Sequence, residues 1–124
     1  MEALRIAHTE DTPEVILDAA SGQFQLAKRS LPEDATKFYE PLIKWLQQYT
    51  ISHQNKPIHF HFNLEYFNTA SSKQILKLLF CLHEIAKTSE VKIFWYYDKE
   101  DKDMRGAGER YSKLVNLPFE FTEQ

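Results

Sequence analysis

Ile58-His-Phe-His-Phe-Asn-Leu64, followed three residues later by Asn68-Thr-Ala-Ser-Ser72, decides the fold of this 124-residue chain. The first stretch alternates with the period of an extended strand and sets Ile58, Phe60, Phe62 and Leu64 on one side. The second is rich in the short polar residues that cap helices, and beyond it Ile75, Leu78, Leu79, Leu82, Ile85 and Ala86 recur at helical spacing. A strong strand running directly into an amphipathic helix predicts a β–α unit whose helix packs back on a sheet.

Upstream, residues 14–18 (Glu-Val-Ile-Leu-Asp) and 23–27 (Gln-Phe-Gln-Leu-Ala) read as strands, with Asp18-Ala-Ala-Ser-Gly22 between them at hairpin length. A short strand near Leu4–Ala7 precedes the hairpin. Ser30-Leu-Pro-Glu33 has capping-box spacing and predicts a helix start, from which Phe38, Leu42, Trp45, Leu46 and Tyr49 form one face. The polar loop His53-Gln-Asn-Lys-Pro57 returns to the central strand. Downstream, Val91–Tyr97 predicts another strand, Asp98 to Asp103 an acidic loop, and Met104, Ala107, Tyr111, Leu114 and Val115 a weaker helix. Pro118-Phe-Glu-Phe121 suits a short edge strand, where a leading proline removes no ladder bond. The order strand, strand, helix, strand, helix, strand, helix, strand predicts a single α/β domain over residues 1–124. It is a STAS-like mixed sheet with an N-terminal hairpin and about three helices mainly on one face.

Composition narrows the function. Lys and Arg number 15 against 18 Asp and Glu, for a net charge of −3, which argues against a phosphate-backbone grip on nucleic acid. The longest apolar run, Ile75 to Ile85, is broken by Lys77, His83 and Glu84 and falls short of the ~18 residues a membrane span needs. Met1-Glu2-Ala3-Leu4-Arg5 lacks a secretory signature, and the single cysteine, Cys81, suits a reducing compartment, so a cytoplasmic protein is expected.

Candidate chemistry is sparse, and neither an enzyme nor a cofactor is expected. No phosphate loop, nucleophile elbow or zinc motif occurs. His59 and His61 share a strand face, but without an identifiable third ligand no metal site is predicted. Cys81, within Leu78-Leu-Phe-Cys-Leu82, reads as a small buried hydrophobe. The acidic run 98–103 lacks the glycine and terminal glutamate of a calcium loop, and Phe94-Trp-Tyr-Tyr97 lacks the basic interleaving of a base-stacking surface. What remains is Asn68 to Lys73. A hydroxyl at a helix start sits among free N–H groups at the positive end of the macrodipole. A phosphate on Thr69 would add about −1.5 to −2 charge there, with Lys73 one turn on. The plain alternative is that Asn68 or Thr69 merely caps the helix.

At this segment, Tyr66-Phe67-Asn68-Thr69-Ala70-Ser71-Ser72-Lys73, the sequence resembles the SiaC family of bacterial regulatory phosphoproteins. That family carries a Tyr-x-Asn-Thr-[Ser/Ala]-Ser motif at a strand-to-helix junction. The likeness extends in order through Thr12–Asp18, Arg29–Asp34, Phe38-Tyr39, Trp45-Leu46, Trp95–Asp98, Asp103-Met104, Gly108-Glu109 and Pro118-Phe119. One departure is Ala27-Lys28-Arg29-Ser30, where relatives often have glycine before Arg-Ser. The resemblance implies a STAS-like partner-switching protein, similar to anti-sigma-factor antagonists. It implies Thr69 as phosphoacceptor, a kinase and a PP2C-type phosphatase acting on it, and a surface formed by Asn68, Ala70, Ser71 and Lys73. It also implies an effector bound by the unphosphorylated form, a diguanylate cyclase, and with it a link to cyclic-di-GMP and biofilm regulation. A reading from another class is a domain binding a small ligand or nucleotide at the carboxyl ends of its strands.

Overall fold

The computed structural model describes residues 1–52 and 56–124. Residues 53–55 of the loop expected at 53–57 lie outside the described part. In chain order the elements are β1 (Leu4–Ile6), β2 (Glu14–Asp18), β3 (Gln23–Ser30), α1 (Ala35–Ser52), β4 (Ile58–Phe67), α2 (Thr69–Ile85), β5 (Val91–Tyr97), α3 (Lys102–Val115) and β6 (Phe119–Glu123). The strands form one six-stranded sheet in sequential order β1 to β6. The first three are antiparallel, and β3 to β6 run parallel through the helical crossovers. Every crossover steps to the next strand in the same direction. A constant right-handed sense then stacks all three helices on one face, the mixed architecture expected from the order of elements.

Burial follows that geometry. Val15, Leu17, Phe24, Leu26, Ile58, Phe60, Phe62, Leu64, Val91, Ile93 and Trp95 point beneath the helices and are buried. Their alternating neighbours His59, His61, Phe94 and Tyr96 lie on the open face, where His61 stacks on Phe94 at 4.7 Å and Nδ1 of His61 meets the Tyr96 hydroxyl at 2.7 Å. In the layer above, Ile75, Leu78, Leu79, Leu82 and Ile85 of α2 are all buried, as their spacing predicts. Trp95 donates from Nε1 to the Met104 carbonyl at 2.9 Å. Its indole lies so near Gly108 that a Cβ there would come within 2.5 Å of the ring, so glycine is what lets α3 approach β5.

Three local expectations are corrected. Ser30 does not cap α1: it is drawn into β3, paired with Phe67 of β4, and fully buried. The cap role passes to Asp34, whose Oδ1 accepts from the Lys37 N–H at 3.1 Å, and α1 starts at Ala35. On α1 the buried face is Ala35, Tyr39, Leu42, Leu46 and Tyr49, with Phe38 and Trp45 only half-buried. On α3, Leu114 is rotated off the core and is 62% exposed, while Tyr111 and Val115 are buried.

Ser30 instead anchors a buried chain of hydroxyls that positions the start of α2. The Ser71 hydroxyl donates to the Ser30 carbonyl at 3.0 Å, so its single proton is committed. Ser30 Oγ therefore donates to Ser71 Oγ at 2.9 Å, and the Tyr39 hydroxyl must donate to Ser30 Oγ at 2.6 Å. The Asn68 N–H adds a bond to the Ser30 carbonyl at 3.0 Å. One serine at the end of β3 thus ties α1 and α2 to the sheet with every proton directed.

Two predictions follow from this arrangement. Lys28 has φ +78° at an irregularity in the β3–β4 ladder, the position where glycine was noted in relatives. A side chain in the left-handed region costs about 1–2 kcal/mol, part of it offset by the smaller entropy a non-glycine residue loses on folding. Lys28→Gly is therefore expected to raise stability by about 0.5–1 kcal/mol, read as a higher urea midpoint at unchanged slope. Burial pushes the phenols of Tyr39 and Tyr111 up to about 12. An unfolded tyrosine loses its proton near pH 10, before the folded one does, so stability present below pH ~10 falls as the pH climbs toward ~12. Tyr39→Phe is expected to cost about 1 kcal/mol at neutral pH by removing the donor to Ser30, and to flatten the alkaline decline in urea midpoints.

Candidate functional site

The site is the junction where β4 hands over to α2. Asn68 is the N-cap, extended at φ −85° and ψ 175°, and its side chain accepts from the Ser71 N–H at 2.9 Å. Its carbonyl accepts from the Ser72 N–H at 2.9 Å, closing the first turn. Asn68 thus satisfies donors that a helix start leaves open, and the capping role belongs to it rather than to Thr69.

Three hydroxyls follow in four residues, and each has a different environment. Ser71 is fully buried and spent on Ser30, so it is not part of the outer surface expected of it; it lies beneath that surface as its anchor. Ser72 is half-buried and donates to the Thr69 carbonyl at 2.7 Å. Thr69 and Ala70 are exposed, and among the described residues the Thr69 hydroxyl has no hydrogen-bond partner. Lys73 is exposed one turn further along, and no acidic residue lies in the first turn of α2. Of the expected group, Thr69, Ala70 and Lys73 share the surface, Asn68 is half-buried at its edge, and Ser71 is removed from it.

Sequence reasoning missed two positioning contacts. One is the Ser30–Tyr39 link: the sequence reads Ser30 as a helix cap and Tyr39 only as a family landmark. The other is the Tyr111 hydroxyl, which donates to the Ser72 carbonyl at 2.7 Å and braces α3 against the first turn of α2. A buried tyrosine needs a partner for its hydroxyl, which was the available signal, but the partner is set by tertiary packing.

Other candidates stay outside this site. Among the described residues no group of three or more His, Cys, Asp or Glu is placed to hold a metal ion. His61 is held below its ordinary pKa, first by burial and then by His59. The Cys81 thiol is pushed up by burial and by Glu84, the opposite of what a reactive thiolate requires. Asp101 of the acidic run caps α3, accepting from the Met104 N–H at 2.9 Å. A hollow of about 760 Å³ is lined by Gln47, Ile51, Phe80, Cys81, Glu84 and Lys87, on the later turns of α1 and α2 and just beyond, remote from the start of α2. Among the described residues, no helix is long and apolar enough to cross a membrane.

Known proteins share this fold. A protein of Pseudomonas aeruginosa (strain UCBPP-PA14) is 26% identical over 120 residues, covering 96% of this chain and 94% of the relative. The structure of apo-SiaC from Pseudomonas aeruginosa superposes with a TM-score of 0.88 at 24% identity, over 98% of this chain and 99% of that one. A chain in the structure of the diguanylate cyclase SiaD in complex with its activator SiaC, from the same organism, gives a TM-score of 0.89 at 24% identity and the same coverage. These superpositions share the fold, and the family model for SiaC family regulatory phosphoproteins matches residues 6–124. The chain therefore belongs to the SiaC family of regulatory phosphoproteins, a family of regulators rather than enzymes.

Proposed function

We propose that this protein is a partner switch set by phosphate on Thr69. A cognate kinase adds the phosphate, a PP2C-type phosphatase removes it, and the unmodified form binds and activates a diguanylate cyclase. In this reading the protein feeds cyclic-di-GMP signalling and biofilm regulation, as its family membership and the activator complex of its structural relative suggest. The observation that carries the reading is the sorting of hydroxyls at the start of α2. Ser71 is locked in the core and Ser72 is turned onto the backbone, whereas Thr69 stands exposed.

Exposure lets a kinase and a phosphatase reach the Thr69 oxygen without unfolding the helix. A phosphate adds about −1.5 to −2 charge, which the free N–H groups and the macrodipole of α2 tolerate. The domain keeps its fold while its surface changes sign locally, as a binding switch requires. The ligand-binding alternative places its site at the carboxyl ends of the strands, where Lys28, Arg29 and Glu65 line a hollow of about 390 Å³, smaller than the one of about 760 Å³ between the later turns of α1 and α2.

The reading is tested on protein isolated from its native cells and on purified cyclases from those cells. Peptide mass spectrometry is expected to map phosphate to Thr69 and to lose it in Thr69→Ala. Wild-type protein and Thr69→Ala are expected to raise the output of one of the cyclases. Thr69→Glu is expected to bind that cyclase at least roughly tenfold more weakly, or about 1.4 kcal/mol. Thr69→Glu is also expected to keep or slightly raise the melting temperature, because a carboxylate in the first turn suits the macrodipole by about 0.3–1 kcal/mol. Equal binding by Thr69→Ala and Thr69→Glu would sink the switch.

A further inference from the structure

Resting on this partner-switching reading, we propose that Gln74 is a residue by which the unmodified protein recognises its effector, pairing its side-chain amide with a main-chain peptide group that the effector lays over Ala70. Gln74 stands out in the burial pattern. Among the described residues the buried polar side chains are Ser30, Ser71 and Gln74, the last only 6% exposed. Ser30 and Ser71 are spent on each other and on Tyr39. The Gln74 amide has no hydrogen-bond partner among the described residues. A buried polar group without a partner in its own fold calls for one from elsewhere.

The amide is not sealed off. Among the described residues the one side-chain oxygen or nitrogen cut off from solvent without a partner is the Ser89 hydroxyl, so the tip of Gln74 still reaches the surface. Helix geometry gives the place. Gln74 stands seven residues before Cys81, on the same flank of α2, and Cys81 borders the hollow that Gln47 and Ile51 of α1 share, whereas Ser72 and Leu76 border α3. A long side chain on a helix leans toward the helix N-terminus and covers the turn before its own Cα. The Gln74 amide is therefore carried back toward Ala70, four residues earlier, which is exposed and has only a methyl group with which to cover it. Of the N–H groups at the start of α2, Asn68 takes those of Ser71 and Ser72, which leaves those of Thr69 and Ala70 without an intrahelical acceptor.

The chemistry of these groups selects the occupant. A primary amide carries donors and an acceptor side by side, and the group that meets both at once is another amide. A carboxylate leaves Oε1 of Gln74 unmet, and an ammonium leaves its NH2 unmet. A main-chain peptide group satisfies both, and a further carbonyl along the same segment suits the N–H groups of Thr69 and Ala70. An effector that presents no such segment strands the amide in a desolvated contact, which makes Gln74 a determinant of specificity. A phosphate on Thr69, the neighbour of Ala70, takes the open N–H groups for itself and sets its charge against the incoming carbonyl oxygens.

The test uses the full-length protein and the cyclase that its unmodified form activates, with affinity and melting temperature measured for wild type, Gln74→Met and Ala70→Leu. Gln74→Met keeps the reach of the side chain and removes an amide that has no partner inside the fold. Its melting temperature is expected to equal or exceed that of wild type, while its affinity falls at least about tenfold. Ala70→Leu retains Gln74, adds a larger helix-compatible side chain at an exposed position, and is expected to lose affinity to a similar degree without loss of stability. Wild-type affinity in either variant overturns the assignment and leaves the partner switch standing. A lower melting temperature for Gln74→Met, the mark of a residue spent on the fold, does the same. If wild type binds no cyclase, the effector reading falls and this assignment falls with it.

Discussion

The handover from β3 and β4 to the first turn of α2 depends on one buried serine. Ser30 uses its carbonyl to hold both the Asn68 N–H and the Ser71 hydroxyl, and its own hydroxyl to link Ser71 with Tyr39. A buried polar group left unpaired costs on the order of 1–3 kcal/mol, so this chain of donors is stable only when every member is in place. That condition fixes three elements at once: the end of the strand, the pitch of α2 where it leaves the sheet, and the rotation of α1 that brings Tyr39 inward. The exposed position of Thr69 follows from it. Helical geometry turns Thr69 outward because Ser71, two residues on, is held inward.

The rest of the fold is built around that junction by chirality and alternation. Sequential parallel strands joined by right-handed crossovers place every helix on the same side, which leaves the other face of the sheet to solvent. The open face is finished with side chains that tolerate both phases. His61 stacks on Phe94 and reaches Tyr96, while Lys92 lies over Phe94 at 5.1 Å and pairs with Glu120 at 2.9 Å. On the helical side, Trp95 fills the space under α3, with Gly108 supplying the clearance. The two faces explain why the segment 94–97 carries four aromatic residues. Trp95 and Tyr97 belong to the core, and Phe94 and Tyr96 belong to the surface ladder.

Most of this architecture was legible because it rests on local periodicity. The alternation from Ile58 to Leu64, the helical spacing from Ile75 to Ile85 and the hairpin turn at 18–22 each use a pattern that tertiary structure only has to satisfy. The misreadings have one physical origin. Ser30-Leu-Pro-Glu33 has the spacing of a capping box, but Ser30 pairs with Phe67, a partner 37 positions away that no local rule can see. Ser71 sits among small polar residues in a segment that looks uniformly solvated, and its burial is decided by Ser30, 41 positions earlier. Leu114 fits the apolar spacing of α3, yet the rotation of that helix is set by Trp95 against Gly108, so Leu114 falls outside. At the proposed switch site, Thr69 stood out from the chemistry of a helix start and from the family motif. Its distinction from Ser71 required the fold.

The same anchoring constrains how a charge at Thr69 can act. A switch that works by unwinding the start of α2 would have to break the bond from Ser71 to the Asn68 side chain, the bonds to Ser30 and the brace from Tyr111 to Ser72. Each is a buried or part-buried hydrogen bond worth about 1 kcal/mol net and more if a partner is stranded, so unwinding faces a cost of several kcal/mol. A negative group at this position does not supply that energy. It is favoured by the N–H groups and dipole of the intact helix, so it strengthens the conformation it would have to undo. In the proposed switch, a phosphate on Thr69 would therefore change the electrostatic character of the surface and leave the backbone where it is. On that proposal, a partner would distinguish the two states by contact with the exposed surface around Thr69 and not by sensing a change in the backbone.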